Sequence, residues 1–343
     1  MARFRKLGAF IALIALASGL STALARAQTE ADTFRGRTIT LYVASGAGGG
    51  YGLNALLIAA HLGHFLPGNP TVIPSYMPGS GGIKAANYLY NAAPKDGTAL
   101  GVLVSTVQVE QLVRTEATMY DVRNFQWIGV VAPIRPVLWV SKKAPASTLD
   151  ELRRTQITAG ASGKGSPTYV VPTLAVHALG LKIKVITGYK GTADTQKAME
   201  QGEVNSLVMP WGTAKAQFPR LFEDTVQLFQ YGLSRDPEYP DVPLLHELVQ
   251  DPKQKLLIRF LASETTLGRN LAAPPGLTAA RVTMLRAAFD KMVADDAFLT
   301  DARKRHMEVG PIKGAEVQAV IEDISHTDRE TIVAAKKLLG ITK

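Results

Sequence analysis

The chain has 343 residues, of which 46% are hydrophobic and 20% charged, with a formal net charge of +9 and no cysteine. This length allows two domains or one large one with a sizeable core, and the lack of cysteine excludes disulfides, Cys-ligated metals and thiol chemistry. No block of Lys and Arg and no stripe of basic and aromatic residues stands out, so nucleic acid is not expected as a partner.

The first 27 residues have the pattern of a secretory signal peptide. Arg3, Arg5 and Lys6 precede a short apolar stretch, and small residues end at Ala27. A signal peptide has this order of regions, whereas a membrane-spanning helix needs about 20 apolar residues. We therefore expect cleavage after Ala27 and an exported, soluble mature protein, whose net charge falls from +9 to +5 because four basic residues are removed. A retained N-terminal anchor is the alternative.

Short apolar runs then alternate with helical patterns along the chain. The expected strands are Thr38–Ala44, Thr71–Ser75, Ala99–Ser105, Trp127–Val131, Val137–Ser141, Ile157–Ala161, Lys184–Thr187, Ser206–Met209 and Val226–Tyr231. The expected helices are Leu53–Phe65, Ile83–Asn91, Thr148–Arg154, Tyr169–Leu179, Thr192–Gln201, Ala279–Asp295 and Ala315–Leu339. This alternation predicts an α/β protein with mostly parallel sheets. Residues 148–151 (TLDE) also match a capping box, which predicts a helix start at Thr148.

The first strand runs into a glycine-rich loop at residues 39–52, ITLYVASGAGGGYG. Glycines let the backbone approach a ligand and direct several N–H groups at it, and the helix that follows adds the positive end of its dipole. The pattern favours a site for an oxyanion, either phosphate or carboxylate; the alternative is a turn that only tightens strand–helix packing. The candidate ligand-binding residues here are Ser45, Gly46, Ala47, Gly48, Gly49, Gly50 and Tyr51.

The loop is a poor match for a nucleotide-binding motif. The last glycine of G-x-G-x-x-G would fall on Tyr51, and the acidic residue expected about 20 residues later is missing, because residues 72–75 read VIPS. The chain also lacks G-x-x-x-x-G-K-[ST]. We therefore expect no nucleotide and no other cofactor.

Further strand-to-helix junctions carry more candidate residues. Residues 157–168 (ITAGASGKGSPT) form a second loop rich in N–H and hydroxyl groups, and two such loops from separate halves would hold a ligand with two anionic ends across a cleft. Residues 188–194 and 209–213 follow later strands in the same way. The candidates are Ser105, Thr106, Ser162, Gly163, Lys164, Ser166, Lys190, Gly191, Thr192 and Trp211. An exposed Lys164, a helix-capping Thr192 and a core Trp211 are the alternatives.

Catalytic and metal-binding patterns are weak. His61 and His64 are spaced to share a metal, but no third ligand is visible, which favours a surface pair. Ser105 lacks a G-x-S-x-G context, and nothing nominates a Ser/His/Asp triad. We therefore predict a binding protein with no metal and no catalytic residues.

Seven short motifs in a fixed order support one family resemblance. They are FRGRTIT at 34–40, MPGSGG at 77–82, APKDGT at 93–98, GYKG at 188–191, EQGEV at 200–204, PDVP at 240–243 and APPG at 273–276. Together they resemble the extracytoplasmic substrate-binding receptors of tripartite tricarboxylate transporters, the Bug or TctC-type family.

The resemblance implies an α/β fold of the type II periplasmic binding-protein kind, with two α/β domains and a ligand cleft between them. The implied domain limits are 28–134 for the first domain, 135–231 for the second, and 232–343 for the returning part of the first with the C-terminal helices. It also implies a periplasmic location, a small organic carboxylate cradled by residues 45–51 and 162–166, and delivery to membrane permease subunits without chemistry on the ligand. We expect a monomer.

Three positions depart from the usual pattern of the family. Gly52 stands where many members have Asp, Leu56 where Arg is common, and Tyr76-Met77 where Asn-Arg often precedes the Pro-Gly turn. The identity of the carboxylate therefore does not follow from relatives. Two other functions stay open from the sequence: a ligand-sensing receptor that signals to a membrane histidine kinase, and an exported hydrolase.

Overall fold

The computed structural model describes residues 34–341, so the predicted signal peptide at 1–27 lies outside the described residues. The strands are β1 (Thr38–Val43), β2 (Thr71–Tyr76), β3 (Ala99–Val102), β4 (Gln126–Val130), β5 (Pro136–Ser141), β6 (Ile157–Ala161), β7 (Ile183–Thr187), β8 (Ser206–Pro210), β9 (Thr225–Gln230), β10 (Asn270–Ala273) and β11 (Ile312–Lys313). The α-helices are α1 (Gly50–His61), α2 (Ile83–Asn91), α3 (Val107–Val113), α4 (Leu149–Leu152), α5 (Pro167–Leu179), α6 (Thr192–Glu200), α7 (Trp211–Gln217), α8 (Leu221–Asp224), α9 (Pro252–Ala262), α10 (Ala279–Val293), α11 (Asp296–Lys304), α12 (Gly314–Ser325) and α13 (Arg329–Leu338). None of the helices in this part of the chain is long and apolar enough to cross a membrane.

The strands form two separate sheets. The first has six strands in the order β11-β4-β10-β3-β1-β2, and the second has five in the order β7-β6-β8-β5-β9. Helices pack on both sheets, and the chain crosses from the first sheet to the second between β4 and β5 and back between β9 and β10. Two α/β domains with two crossings are therefore present.

Both sheets mix parallel and antiparallel pairings, so the prediction of mostly parallel sheets is wrong. β1 pairs in parallel with β2 and β3, and β6 pairs in parallel with β7 and β8. In contrast, β10 is antiparallel to β3 and β4, and β5 is antiparallel to β8 and β9. β5 and β10 are the first strands that the chain enters after each crossing. They do not belong to β-α-β units, so the parallel direction that those units impose does not apply to them.

Buried hydrophobic side chains fill the faces of both sheets. On the first sheet one cluster contains Leu41 and Phe289 and another contains Phe125. On the second sheet one cluster contains Leu138 and the other contains Trp139. These cores fix the positions of the strand ends, and the loops that follow the strands are therefore held on rigid supports.

The domain limits remain a proposal. The packing indicates that residues 232–343, predicted to return to the first domain, are divided between the two domains. Ile258 and Leu261 of α9 and Leu338 of α13 belong to the core cluster of the second sheet, together with Val109 of α3. β10 and β11 join the first sheet, and α10 packs on it. Helices from before the first crossing and after the second crossing thus pack into the core of the second domain.

Two helices differ most from their predicted extents, and the other predicted helices agree to within two residues at each end. α1 begins at Gly50 rather than Leu53, because the glycine-rich loop itself forms the first turn. The pattern predicted at Ala315–Leu339 is two helices, because Asp328 accepts a hydrogen bond from a backbone N–H and caps the start of α13. The capping box predicted at Thr148 is confirmed.

Candidate functional site

A cavity lies between the two domains, where loops at the carboxyl ends of strands from both sheets meet. The space between its lining residues is about 570 Å³ when the part open to solvent is counted. Its lining residues are Ala44, Ser45, Gly48, Gly50, Tyr51, Val104, Ile134, Pro136, Ser162, Ser166, Pro167, Thr168, Gly191, Thr192, Val208, Pro210, Thr213 and Arg269. Ligands of α/β proteins commonly bind at such strand ends, so this is the candidate ligand site.

The glycine-rich loop between β1 and α1 forms one side of the cavity and touches the second domain. The Gly46 N–H donates to the Lys190 carbonyl oxygen at 2.8 Å. A Cβ atom on Gly48 would lie 2.5 Å from the Cβ of Ala193. The two domains are therefore closed over the cavity, and the close approach at Gly48 requires glycine.

The first turn of α1 presents N–H groups to the cavity. The first bond within this helix runs from the Leu53 N–H to the Gly49 carbonyl oxygen, at 3.0 Å. The N–H groups of Gly50, Tyr51 and Gly52 precede that bond and have no acceptor within the helix. Because Gly50 and Tyr51 line the cavity, their N–H groups and the helix dipole favour an anion at this end.

Arg269 places a positive charge at the same end of the cavity. Its guanidinium lies against Gly50, where a Cβ atom would come within 2.2 Å of Nη2. The residue is only 9% exposed, Nη2 donates to Oγ1 of Thr213 at 2.8 Å, and the guanidinium carbon is 5.2 Å from the ring centre of Tyr51. Within residues 34–341 no carboxylate lies within ion-pair distance of Arg269. The chain therefore holds a buried cation beside free helix N–H groups.

Burial shifts the pKa of both groups in this contact, the Arg269 guanidinium and the Tyr51 phenol. Burial lowers the pKa of Arg269, opposed by the neighbouring Tyr51 and Glu308, and the guanidinium stays charged because an Arg pKa lies so far above neutrality. Burial raises the pKa of Tyr51, opposed mainly by Arg269, so Tyr51 stays a neutral hydroxyl. A buried cation without an acidic partner is unfavourable, and an anionic ligand relieves this.

Ser105 holds Tyr51 in place, and Asn270 fixes the end of the strand that precedes Ser105. The Ser105 N–H donates to Oη of Tyr51 at 3.0 Å, and this hydroxyl lies 3.4 Å from Oγ of Ser105. Asn270 joins β10 to the end of β3, because its Nδ2 donates to the Leu103 carbonyl oxygen at 2.9 Å and its Oδ1 accepts from the Leu103 N–H at 3.1 Å. Ser105 is fully buried and does not line the cavity, so it acts on the site through Tyr51.

Glu264 is a buried carboxyl group behind this contact. It is fully buried, and neither side-chain oxygen has a well-aligned hydrogen bond. Burial raises the pKa of Glu264 to about 8; Ser105 opposes the change and Glu110 adds to it. Burial also raises the pKa of Glu110 to about 7, opposed by Arg114. Glu264 therefore keeps its proton at neutral pH.

The raised pKa of Glu264 predicts that Glu264→Gln stabilises the protein as pH rises. Between its ordinary value of 4.5 and about 8 the unfolded chain releases the proton and the folded chain keeps it, so stability falls with pH in this window. Glutamine cannot ionise in either state. We expect the substitution to increase the free energy of unfolding by about 4 kcal/mol at pH 7.5 and by less than about 1 kcal/mol at pH 5. Urea denaturation at both pH values measures this, and equal effects at the two would contradict it.

The second loop, between β6 and α5, is held mainly by its own hydrogen bonds. The Ser162 N–H donates to Oγ1 of Thr168 at 3.1 Å, and the N–H and hydroxyl of Ser166 both donate to the Gly163 carbonyl oxygen, at 3.0 and 2.7 Å. The Thr106 hydroxyl donates to another carbonyl of this loop at 2.6 Å, which joins the two domains. Ser162, Ser166 and Thr168 line the cavity, whereas Gly163 and Thr106 lie behind its surface.

The third loop reaches the cavity with Gly191 and Thr192. The side chains of Lys164 and Lys190 are exposed and do not line the cavity, and Ala47 is exposed as well. Lys190 takes part in the closed arrangement through its backbone carbonyl rather than its charge. The sequence suggested Lys164 and Lys190 as the positively charged site residues. Among the described residues that line the cavity, the positive charge belongs to Arg269 instead.

We expect the single substitutions Lys164→Gln and Lys190→Gln to have little effect on ligand affinity. Both ammonium groups lie in solvent, where charges separated by more than about 8 Å are screened at physiological ionic strength. The dissociation constant should change by less than about threefold, as is usual for exposed charges. Isothermal titration calorimetry measures this; a tenfold loss in either variant would show that the lysine reaches the ligand.

Trp211 is a core residue that borders a second cavity. Its ring stacks on Tyr239 at 3.7 Å, its Nε1 donates to Oε1 of Gln230 at 3.1 Å, and it is 1% exposed. The second cavity, of about 440 Å³, adjoins the first and is also lined by Arg135 and Glu308. Trp211 does not line the candidate ligand cavity. The packing of Trp211 therefore agrees with the alternative that it is a core residue.

Sequence reasoning missed Arg269 and Thr213 as site residues. Arg269 lies in the sequence LGRNLAA, where a single charge directly precedes a short apolar run, and such a charge beside a buried strand is the signal that the sequence offered. Arg269 reaches the site because the chain crosses back from the second sheet and re-enters the first sheet at β10. The Val131 N–H donates to the Arg269 carbonyl oxygen and the Arg269 N–H donates to that of Ala132, both at 2.8 Å.

Comparisons with known proteins agree with this architecture. The family described as "Tripartite tricarboxylate transporter family receptor" matches residues 60–336. The solved structure of the periplasmic binding protein BugD superposes with a TM-score of 0.70 at 20% identity, covering 89% of this chain and 98% of that one. MatC from Rhodopseudomonas palustris with bound malate gives a TM-score of 0.67 at 21% identity, with coverage of 88% and 98%. Another R. palustris protein, solved with adipate, gives a TM-score of 0.68 at 22% identity, covering 88% of this chain and 97% of that one.

Two α/β domains closed over a cavity at their strand ends define a binding protein of the periplasmic type, and the predicted fold is confirmed. The chain belongs to the tripartite tricarboxylate transporter receptor family. Members of this family are solute-binding receptors rather than enzymes, which confirms the prediction of a binding protein.

Proposed function

We propose that this protein captures a small organic carboxylate in the cavity between its domains and delivers it to a membrane permease of the tripartite tricarboxylate type. The observation that supports this best is Arg269, a buried guanidinium that faces the cavity beside the first turn of α1 and lacks an acidic ion-pair partner within residues 34–341. A carboxylate matches a guanidinium in shape and charge.

The strength of the proposed contacts suits a transport receptor. A hydrogen bond to a charged group contributes about 1.5–3 kcal/mol, and Arg269 and the N–H groups of Gly50 and Tyr51 together offer three or more donors. Three such bonds contribute about 4.5–9 kcal/mol in total, so micromolar affinity, about 8.2 kcal/mol, also requires the burial of apolar surface to offset the cost of association. Relatives with malate and adipate support a carboxylate as the ligand class.

Ligand class is tested by thermal-shift screening of residues 28–343 against organic acids, sugars and amines at pH 7.5. We expect stabilisation by one or more carboxylates, since a ligand at 100 times its dissociation constant adds about 2.7 kcal/mol to the free energy of unfolding. Stabilisation by sugars or amines, with no response to any carboxylate, would contradict the proposal.

Delivery to a permease is tested by uptake in cells. We propose that residues 1–27 direct export to the periplasm and that the mature protein acts as a monomer. Deleting the gene should abolish uptake of the radiolabelled carboxylate at micromolar concentration, and expression of the full chain should restore it. Expression of residues 28–343 without the leader should fail to restore uptake. Normal uptake after deletion, with loss of a transcriptional response to the ligand, would favour a sensory role.

A further inference from the structure

Resting on the proposed function, we propose that the ligand carries one carboxylate, held at the Arg269 end of the cavity, and that its other end is uncharged and mainly apolar. The ligand class is therefore a monocarboxylate with a compact hydrocarbon body rather than a di- or tricarboxylate. Three independent features of the cavity support this: its charges, its hydrogen-bond donors and its walls.

The charges of the cavity lie at one end. Among the described residues that line it, Arg269 is the single charged side chain. Lys164 and Lys190, the lysines nearest in sequence to the other two loops, are exposed and turned away from the lining. A second carboxylate at the far end would therefore lose its hydration without meeting a cation, which is strongly unfavourable.

The donors are also distributed unequally between the start of α1 and the start of α5; the start of α6, where Gly191 and Thr192 line the cavity, lies against Gly48 and Gly49 and so belongs to the α1 end. α1 begins with three residues whose N–H groups have no acceptor within the helix. α5 begins with Pro167, which has no N–H, and the Tyr169 N–H donates to the Ser166 carbonyl oxygen at 3.0 Å. The loop before it uses the N–H groups of Ser162 and Ser166 internally. In the first turn of α5 the Thr168 N–H is thus the one left without an acceptor among the described residues, compared with three at the start of α1, so the second helix start holds an anion less well.

The hydroxyl groups at the far end are also engaged with one another. Oγ of Ser166 donates to the Gly163 carbonyl oxygen at 2.7 Å and lies 2.7 Å from Oγ1 of Thr168. Oγ1 of Thr168 accepts the Ser162 N–H at 3.1 Å. The Ser166 and Thr168 hydroxyls use their protons in this way, and the Ser162 hydroxyl, 3.4 Å from Oγ1 of Thr168, is the one that can still donate to a ligand. A single neutral donor beside acceptor oxygens suits a neutral polar group better than a carboxylate.

The walls between the two ends are apolar. Val104, Ile134, Pro136, Pro167 and Val208 line the cavity from both domains. When a hydrocarbon ligand contacts these walls, apolar surface of both the ligand and the protein is removed from water, and this favours binding in proportion to the area removed. These rigid, short side chains leave room for a compact aliphatic or aromatic body. The cavity therefore favours a ligand with a carboxylate at one end and a hydrocarbon body at the other.

The test compares acids that share a carbon skeleton and differ in the second charge. Isothermal titration calorimetry on residues 28–343 at pH 7.5 and fixed ionic strength uses butyrate against succinate, and hexanoate against adipate and its neutral-ended half-amide, adipamate. We expect hexanoate and adipamate to bind about tenfold or more tightly than adipate, and butyrate more tightly than succinate, because each diacid buries an unpaired charge.

A designed second cation tests the same idea independently of overall affinity. Ser162→Lys places an ammonium group at the far end, and Ser162→Met is the matched control of similar length without charge. The affinity of adipate relative to hexanoate should rise about tenfold in the lysine variant and stay unchanged in the methionine variant. Because the readout is a ratio, a general loss of affinity in both variants does not affect it.

The outcomes separate this inference from the proposed function. Binding of the diacids as tightly as the monoacids, or more tightly, would overturn the inference and leave a carboxylate receptor standing. Binding of none of these acids, with stabilisation by sugars or amines, would overturn both. Tighter binding of the monoacids together with an unchanged ratio in Ser162→Lys would contradict the assignment of the uncharged end to the second loop.

Discussion

Replacing Arg269 by glutamine is expected to weaken carboxylate binding by about 100-fold or more, the largest effect of any single substitution at the site. Removing one partner of a buried, hydrogen-bonded charge pair costs about 2–5 kcal/mol, and in this cavity Arg269 is the single charged lining residue among those described. Glutamine keeps a donor for Thr213 but not the charge. The dissociation constant measured by calorimetry reports the change.

The same substitution should leave the ligand-free protein at least as stable as the wild type. Arg269 is 9% exposed and has no acidic partner at ion-pair distance in the described chain, so its replacement removes a desolvated charge, and this gain offsets the loss of the contact with the Tyr51 ring. Lys197→Gln, which removes one positive charge from the exposed face of α6, is the control for net charge. A similar loss of affinity in both variants would show a general effect of net charge, and a large fall in the stability of Arg269→Gln would show a structural role; either result would contradict the prediction.

The second large effect is expected from Gly48→Val, which should prevent closure of the domains. A Cβ atom at Gly48 would lie 2.5 Å from the Cβ of Ala193, a contact that exists across the cleft and not within one domain. An open arrangement avoids it. We expect about a 100-fold loss of affinity, because closure assembles the donors around the ligand, with less than about 1 kcal/mol change in the stability of the ligand-free protein. Gly48 is preferred to Gly49, whose φ of 90° would add backbone strain to any side chain.

Closure itself is measured by small-angle X-ray scattering with and without ligand. The radius of gyration of the wild type should decrease on binding, whereas that of Gly48→Val should not. Gly52→Ala is the matched control in the same loop, because its Cβ would lie 2.0 Å from the Ala47 carbonyl oxygen of the same domain. That variant should lose about 1–3 kcal/mol of stability with or without ligand. Equal destabilisation by Gly48→Val would contradict a role in closure.

The contact at Gly52 also explains one departure from the family pattern. Asp is the residue that the family resemblance led us to expect here, but any Cβ atom at this position would collide with the Ala47 carbonyl oxygen. The glycine-rich loop therefore follows a path over the first turn of α1 that an Asp would not allow. The charge of the site is set instead by Arg269, which lies more than 200 residues later in the chain.

What the sequence revealed were local features. A glycine run between a strand and a helix predicts exposed N–H groups whatever the rest of the chain does, and the loop at Gly48 and Gly50 does line the cavity. The capping box at Thr148 is equally local. Both depend on a few neighbouring residues, which is why reasoning from a single sequence reaches them.

What the sequence did not reveal depends on contacts between distant segments. Arg269 reaches the cavity because the strand after the second crossing inserts between β3 and β4, and no pattern near residue 269 encodes that insertion. The mixed strand directions have the same origin. Lys164 follows the expected local geometry, but its side chain points to solvent, because loop geometry fixes the backbone and not the direction of an exposed side chain.

The most direct test of the central claim is a crystal structure of the protein with a tightly bound monocarboxylate. We predict that the carboxylate oxygens lie about 3 Å from the Arg269 guanidinium and from the N–H groups at the start of α1, with the hydrocarbon body toward Val208 and the second loop. A carboxylate bound instead at the second loop, or in the adjoining cavity beside Arg135, with Arg269 making no contact to it, would contradict the account.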